Sequence, residues 1–166
     1  MIKRNLLILG AGQYGIVAME VALSMECFNI IEFLDDKSSV AIGKITDFVQ
    51  HKENYDCAVV AIGNADLRIN LIEKLINAGF EVPCLIHKRA YVSSSAVVGK
   101  GCIIEPMAVV HTGVSVCDGC LISAGAILNH NCVVGRGCHI DCGSIVGARV
   151  NISEYSKVSC GTIICE

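Results

Sequence analysis

The sequence predicts a small parallel α/β domain over residues 1–85, followed by an all-β hexapeptide solenoid over residues 86–166. Three observations lead there. Before residue 86, short aliphatic runs ending in glycine alternate with helix-spaced stretches. After it, a large aliphatic returns at every sixth position, and a small residue sits four places behind each one.

The elements follow in order. "NLLILGAG" is a buried-strand run closed by glycine, and "QYGIVAMEVALSM" carries Ile16, Met19, Ala22 and Leu23 at helical spacing. "NIIEFLDD" and "DCAVVAIGN" are two further strands, and "DLRINLIEKLINAGF" is an amphipathic helix ending at Gly79. Strand, glycine loop, helix, strand, strand, helix is the grammar of a parallel α/β unit.

From Ile86 the ladder runs through Val92, Val98, Ile104, Val110, Val116, Ile122, Leu128, Val134, Ile140, Val146, Ile152, Val158 and Ile164. Only 51 of the 166 residues are Ile, Leu or Val, so an unbroken ladder is not chance. Each short strand points one large side chain inward and packs a small one near the turn, and three hexads close one coil. Residues eighteen apart then stack at about 4.8 Å. Cys102, Cys120, Cys138 and Ser156 share one such stack, and Cys132 fills the small slot of another face.

Composition bounds the function. A hydrophobic content of 53% supports a filled core. A formal charge of −3, from 13 basic and 16 acidic residues without long blocks, leaves no footprint for nucleic acid or an anionic membrane. No apolar run reaches the roughly 18 residues of a membrane span, and "MIKRNLLILGAGQYG" turns into a glycine loop, so a cytoplasmic chain without membrane insertion is expected. Eleven cysteines, an odd number with no secretory signal, read as small hydrophobes of a reducing compartment. "CDGC" has the spacing of a metal or redox pair, but Cys120 falls in an inward slot and no second such pair exists, so no metal is expected.

Two glycine loops and a set of histidines carry the candidate chemistry. "GAGQYG", Gly10 to Gly15, follows a strand and opens a helix, where backbone N–H groups can cradle a phosphate; Asp35 follows at a strand end, where a carboxylate can meet a ribose or base. The same glycines also serve a tight packing turn, and the motif alone does not choose between NAD and a nucleotide sugar. "AIGNADLR" brings Gly63 and Asn64 to the same carboxyl-end crevice, with Asn64 or Asp66 as a helix cap. His130 sits at a solenoid corner, His111 one coil below on the same face, and His139 on the next face. A corner histidine is most often only solvated, yet His130 is the best candidate base because a neutral imidazole titrates near working pH.

Through "GAGQYG", "FLDD", "AIGNADLR", "LIHKRA", "HNCVVG", "CHI" and the hexad ladder, the whole chain resembles the nucleotide-sugar acetyltransferases. These join a Rossmann-like domain to a left-handed β-helix, and include bacterial UDP-4-amino-sugar N-acetyltransferases and sialic acid O-acetyltransferases. Handedness is implied by the resemblance alone, since it runs against the usual right-handed crossover. The resemblance further implies a homotrimer with active sites between neighbouring β-helices, acetyl-CoA as co-substrate and a UDP-linked amino sugar as acceptor. It assigns the nucleotide sugar to Gly10, Gly12, Gln13, Tyr14, Asp35, Asp36 and Gly63. It makes His130 the base with Asn131 beside it, and gives acetyl-CoA contacts to His139 and Cys160.

Three departures from the family pattern stand out. Tyr14 replaces a usual histidine, Asn131 replaces an acid that raises the basicity of the catalytic histidine, and members continue for about two further coils that help bind coenzyme A. The expected reaction is direct acetyl transfer to an amine. Rival readings are O-acetylation of a sugar, which Asn131 disfavours, and a shortened, non-catalytic nucleotide-sugar binder, which the missing coils favour. An NAD-dependent oxidoreductase is disfavoured, since 85 residues make only half of a dinucleotide fold.

Overall fold

The computed structural model describes residues 4–165, and the chain divides into two compact units between Pro83 and Cys84. The first unit runs β1 (Arg4–Leu9), α1 (Gln13–Ser24), β2 (Phe28–Leu34), a 3-10 helix (Ile45–His51), β3 (Cys57–Val60) and α2 (Ala65–Asn77). The strands form a parallel sheet in the order β2-β1-β3. Leu6 to Leu9 and Cys57 to Val60 are all fully buried. Continuous rather than alternating burial is what a strand covered on both faces requires. Because the strands share one direction, Gly10, Asp35 and Gly63 all emerge at the same edge of the sheet.

The buried face of α1 is not the one that apolar spacing suggests. Gly15, Ala18, Val21 and Ala22 face inward, whereas Ile16 and Leu23 are 45% and 59% exposed. The cause is close approach: a Cβ on Gly15 would lie 2.2 Å from the Gly10 carbonyl oxygen, so only the small-residue side of the helix can meet the loop. In α2, Asn64 is the cap, its Oδ1 accepting the Leu67 N–H at 2.8 Å. The helix ends in a Schellman arrangement, with Gly79 at φ 83, its N–H donating to Ile76, and the Phe80 N–H donating to Leu75.

The second unit is a parallel β-solenoid. Among the described residues its two-residue strands form sheets of five, five and four, each strand pairing with the one eighteen residues away, as in Leu85↔Ile103 and Leu121↔His139. The first sheet contains Leu121–Ile122 and His139–Ile140, the second Val109–Val110 and Ile127–Leu128, and the third Ser115–Val116 and Val133–Val134. Every rung of the ladder from Ile86 to Ile164 lies in or against one core. From Gly101 to Gly161 every sixth residue takes the left-handed conformation at a corner; glycine supplies most, while Met107, Asn131, Arg149 and Tyr155 do so without being glycine.

The cysteine column is longer than the ladder suggests, because Cys84 joins it. Cys84, Cys102, Cys120 and Cys138 donate their Sγ–H to the carbonyls of Gly99, Cys117, Gly135 and Ser153, at 2.8 to 3.1 Å. Hydrogen bonding to the Cys120 thiol, then burial, pushes the Cys102 and Cys138 thiols up. The Cys102 and Cys138 thiols fill and stitch the core and are not nucleophiles.

Candidate active site

His130 leaves the solenoid at the corner between the second and third sheets, and His111 occupies the same corner one coil earlier. Their rings meet edge to face, 6.4 Å between centroids. The His130 N–H donates to Asn129 Oδ1 at 2.7 Å, and its carbonyl accepts the Arg149 N–H at 3.1 Å. Asn131, with φ 58, places its Nδ2 3.2 Å from His130 Nδ1.

His139 stands on the first sheet. Its strand neighbour Ile140 is a core rung, so alternation turns His139 to the outer face. Its Nε2 lies 3.0 Å from Ser123 Oγ and 3.9 Å from Asp141 Oδ1, and Asp141 Oδ2 in turn lies 3.3 Å from Lys157 Nζ. The Cys142 N–H first, and Lys157 and His139 after it, hold the Asp141 carboxyl below its ordinary value despite partial burial. The group is not a nucleophile triad: Asp141 approaches the same ring nitrogen as Ser123, so it orients nothing through the far nitrogen, and Ser123 is only 2% exposed. Cys160 is exposed at the corner that bears Ser123 and Asp141, one coil further on.

The corner between the second and third sheets is opposite the first sheet. His130 and His139 therefore point away from each other within one chain. A groove of about 330 Å3 on the solenoid, lined by Val97, Ser115, Cys117, Asp118, Arg136 and Glu154 among others, contains neither histidine.

In the first unit, Gly12 caps α1 without a side-chain hydrogen bond. Gly12, Gln13 and Gly63 are exposed and Tyr14 half-buried. A Cβ on Gly12 or Gly63 would meet nothing within 4 Å, whereas one on Gly10, at φ 104, would strike the Ala61 carbonyl at 2.8 Å. Asp35 organises this edge: Oδ2 accepts from Ala11 at 2.8 Å, and Oδ1 from Lys37 and Ser38 at 2.8 and 2.9 Å. Those N–H groups, Ala11 first, pull its carboxyl below the ordinary range. Asp36 is exposed, its Oδ1 accepting the Ile45 N–H at 3.1 Å.

Sequence reasoning missed two supporting side chains. Arg68 is fully buried and donates from Nη1 to the carbonyls of Ile62 and Gly63, at 2.7 and 3.1 Å. Ser123 was legible in principle, since the eighteen-residue stack sets it beside Asp141 and one step across from His139.

Residues 5–75 match a family model described as the PglD N-terminal domain. The acetyltransferase domain of PglB from Neisseria gonorrhoeae FA1090, in complex with acetyl coenzyme A, is 31% identical, superposes with a TM-score of 0.92, and is matched over 98% of this chain and 82% of that one. PerB from Caulobacter crescentus, in complex with CoA and GDP-perosamine, shares the fold at 22% identity, with a TM-score of 0.82 over 97% of this chain and 88% of that one. WeeI from Acinetobacter baumannii AYE shares it at 15% identity and a TM-score of 0.71, over 96% and 93%. No helix among the described residues is long and apolar enough to cross a membrane.

Proposed function

This chain belongs to the nucleotide-sugar acetyltransferase family, and from that membership we propose that it moves the acetyl group of acetyl-CoA onto the amine of a UDP-linked 4-amino sugar. Residues 1–85 act as a Rossmann-like module that holds the nucleotide sugar at Gly10, Gly12, Gln13, Tyr14, Asp36 and Gly63, on the edge that Asp35 organises. Residues 86–166 act as a left-handed β-helix that carries out the transfer, with His139 and Cys160 facing acetyl-CoA. The protein works in the cytoplasm as a homotrimer.

His130 is the general base. As the sugar nitrogen attacks the thioester carbon, the imidazole takes the amine proton, and the departing thiolate of coenzyme A receives it when the C–S bond breaks. Removing such a base costs on the order of 10² to 10⁴ in rate. Asn131 gives the resulting imidazolium no charge compensation, which favours an amine over the less nucleophilic hydroxyl of an O-acetylated sugar.

One observation supports the oligomeric site above the rest: His130 and His139 leave opposite sides of the solenoid, so both can serve one reaction only when they come from neighbouring copies. Mixing inactive His130→Ala and His139→Ala chains tests this. In a randomly reassembled ring of three, about a quarter of the sites pair an intact His130 with an intact His139, so activity returns to about a quarter of the unmodified level. No recovery, with mixed trimers verified, would place the chemistry within single chains. The same assay with UDP-linked and GDP-linked amino sugars identifies the nucleotide.

A further inference from the structure

We infer that Cys142 and Cys160 form a redox modification site: a small-molecule disulfide closes them into a reversible disulfide bond at a corner of the solenoid, and that bond lowers the affinity for acetyl-CoA. The effect on acetyl-CoA rests on the proposed reading of Cys160 as a donor contact. The bond itself rests on the solenoid register and on exposure.

The repeat that builds the core also stacks these two thiols. They are eighteen residues apart, after the paired rungs Ile140↔Val158 and before the paired strand residues Ile145↔Ile163. The corner repeats its bonding from coil to coil. The Gly143 N–H donates to the Ala124 carbonyl at 3.0 Å and the Gly161 N–H to the Cys142 carbonyl at 2.9 Å, while the Ser144 and Thr162 N–H groups donate to Asp141 and Ser159 at 3.2 and 3.1 Å. Equivalent backbones turn the two Cα–Cβ bonds the same way. Stacked Cα atoms stand about 4.8 Å apart, inside the roughly 4.4–6.8 Å that a disulfide spans. Parallel Cβ vectors leave the Cβ atoms about 1 Å wider than the disulfide mean of about 3.8 Å. The adjoining Gly143 and Gly161 are both left-handed, and a Cβ on either would meet nothing within 4 Å, so the corner has open space in which to close that difference.

Exposure sets this pair apart from the other stacked thiols. Cys102, Cys120 and Cys138 share the eighteen-residue spacing but are buried, whereas Cys142 and Cys160 are both exposed. Cys165 is exposed too, but it follows the second sheet, at the corner toward the third. Burial first, then the charges of Glu105, Asp141 and Cys160, push the Cys142 thiol up, so the two sulfurs lie within each other's electrostatic reach. In the exchange, one protein thiolate attacks a sulfur of the small disulfide and expels its other half as a thiolate. The second protein thiolate then attacks the protein sulfur of that mixed disulfide, forms the Cys142–Cys160 bond and expels the remaining half. Two protein thiols are oxidised, the small disulfide is reduced to two thiols, and the two protons lost by the protein end on them. An exposed bond that has to draw its corner together belongs to the labile class that small thiols reduce again. Closure takes the Cys160 side chain out of its place against the donor.

The test treats the folded, full chain with oxidised glutathione, maps the crosslinked peptides by mass spectrometry, and titrates acetyl-CoA calorimetrically before and after. The Cys142 and Cys160 peptides should be joined within one chain, and dithiothreitol should release them. Affinity for acetyl-CoA should fall by roughly fivefold or more on oxidation and return on reduction. Cys142→Ser should bind acetyl-CoA as the parent does when reduced, give no crosslink, and leave glutathione on Cys160 as a mixed disulfide; Cys165→Ser should oxidise like the parent. A parent chain in which both thiols stay free, or each keeps its own glutathione, would overturn the inference, and so would a crosslinked chain that binds acetyl-CoA as tightly as the reduced one. A crosslink in a chain that binds no acetyl-CoA even when reduced would instead sink the proposed function, with the modification site left standing.

Discussion

Replacing Gly12 by alanine separates a ligand loop from a packing turn. Gly12 has φ −73 and ψ −170, an extended conformation open to any residue, and an added Cβ touches nothing. The fold therefore loses only the difference between glycine and alanine at a helix cap, about 0.5–1 kcal/mol, or roughly 1–4 °C in melting temperature for a chain of this size. If a diphosphate lies against the backbone here, the methyl group occupies its space. Overpacking on that scale costs about 1–3 kcal/mol, so affinity for the UDP-sugar should fall roughly five- to 150-fold. Gly15→Ala is the contrast. Its methyl would sit 2.2 Å from a backbone oxygen, and the helix-propensity gain of about 1 kcal/mol does not compensate for moving β1's loop away from α1. Its first symptom should be a lower melting temperature. Calorimetric titration with the UDP-sugar beside thermal unfolding distinguishes the two variants; a folded Gly12→Ala protein that binds as tightly as the parent would show that the loop is a packing turn.

Other outcomes follow from the same geometry. Ser123→Ala removes a bond worth about 1 kcal/mol from His139, so KM for acetyl-CoA should rise roughly fivefold while KM for the sugar stays put, and Ser123→Thr should restore it. Asp35 has a carboxyl pKa below its ordinary value in the folded chain, so its three N–H bonds stabilise above the unfolded pKa and that contribution is lost as pH falls through the folded one. Asp35→Asn should accordingly flatten the acid end of the stability curve, followed by circular dichroism. Cys142, Cys160 and Cys165 are exposed and should react with a thiol reagent in the native state, whereas the thiols of Cys102, Cys120 and Cys138 should react only on unfolding; acetyl-CoA should slow Cys160 if that residue faces the donor.

How far the fold can be read from sequence depends on how local its cause is. The solenoid repeats one decision every six residues, so Ile104 or Leu128 is placed inward by counting, and Leu121 is set beside His139 by adding eighteen. Handedness is absent from that count, because mirror-related coils share the same period. In the first unit the strands and glycine loops were legible, but the face of α1 was not. Apolar spacing points to Ile16 and Leu23, while a single backbone contact between Gly15 and Gly10 overrides it. Asp35 shows a similar limit: its position after the second strand is plain in sequence, yet the bonds to Ala11, Lys37 and Ser38 depend on how the chain folds back on itself.

The two histidines set the deeper constraint. A three-sided coil sends neighbouring sheets in different directions, so groups nine residues apart, as His130 and His139 are, stand one and a half hexads apart and cannot converge. A solenoid of this kind can build a convergent site only by adding a second surface, and the repeat makes another copy of itself the readiest one. The same geometry leaves His130 without a carboxylate from its own coil, since His111 and Arg149 occupy the adjoining coils and Asn131 the adjoining position.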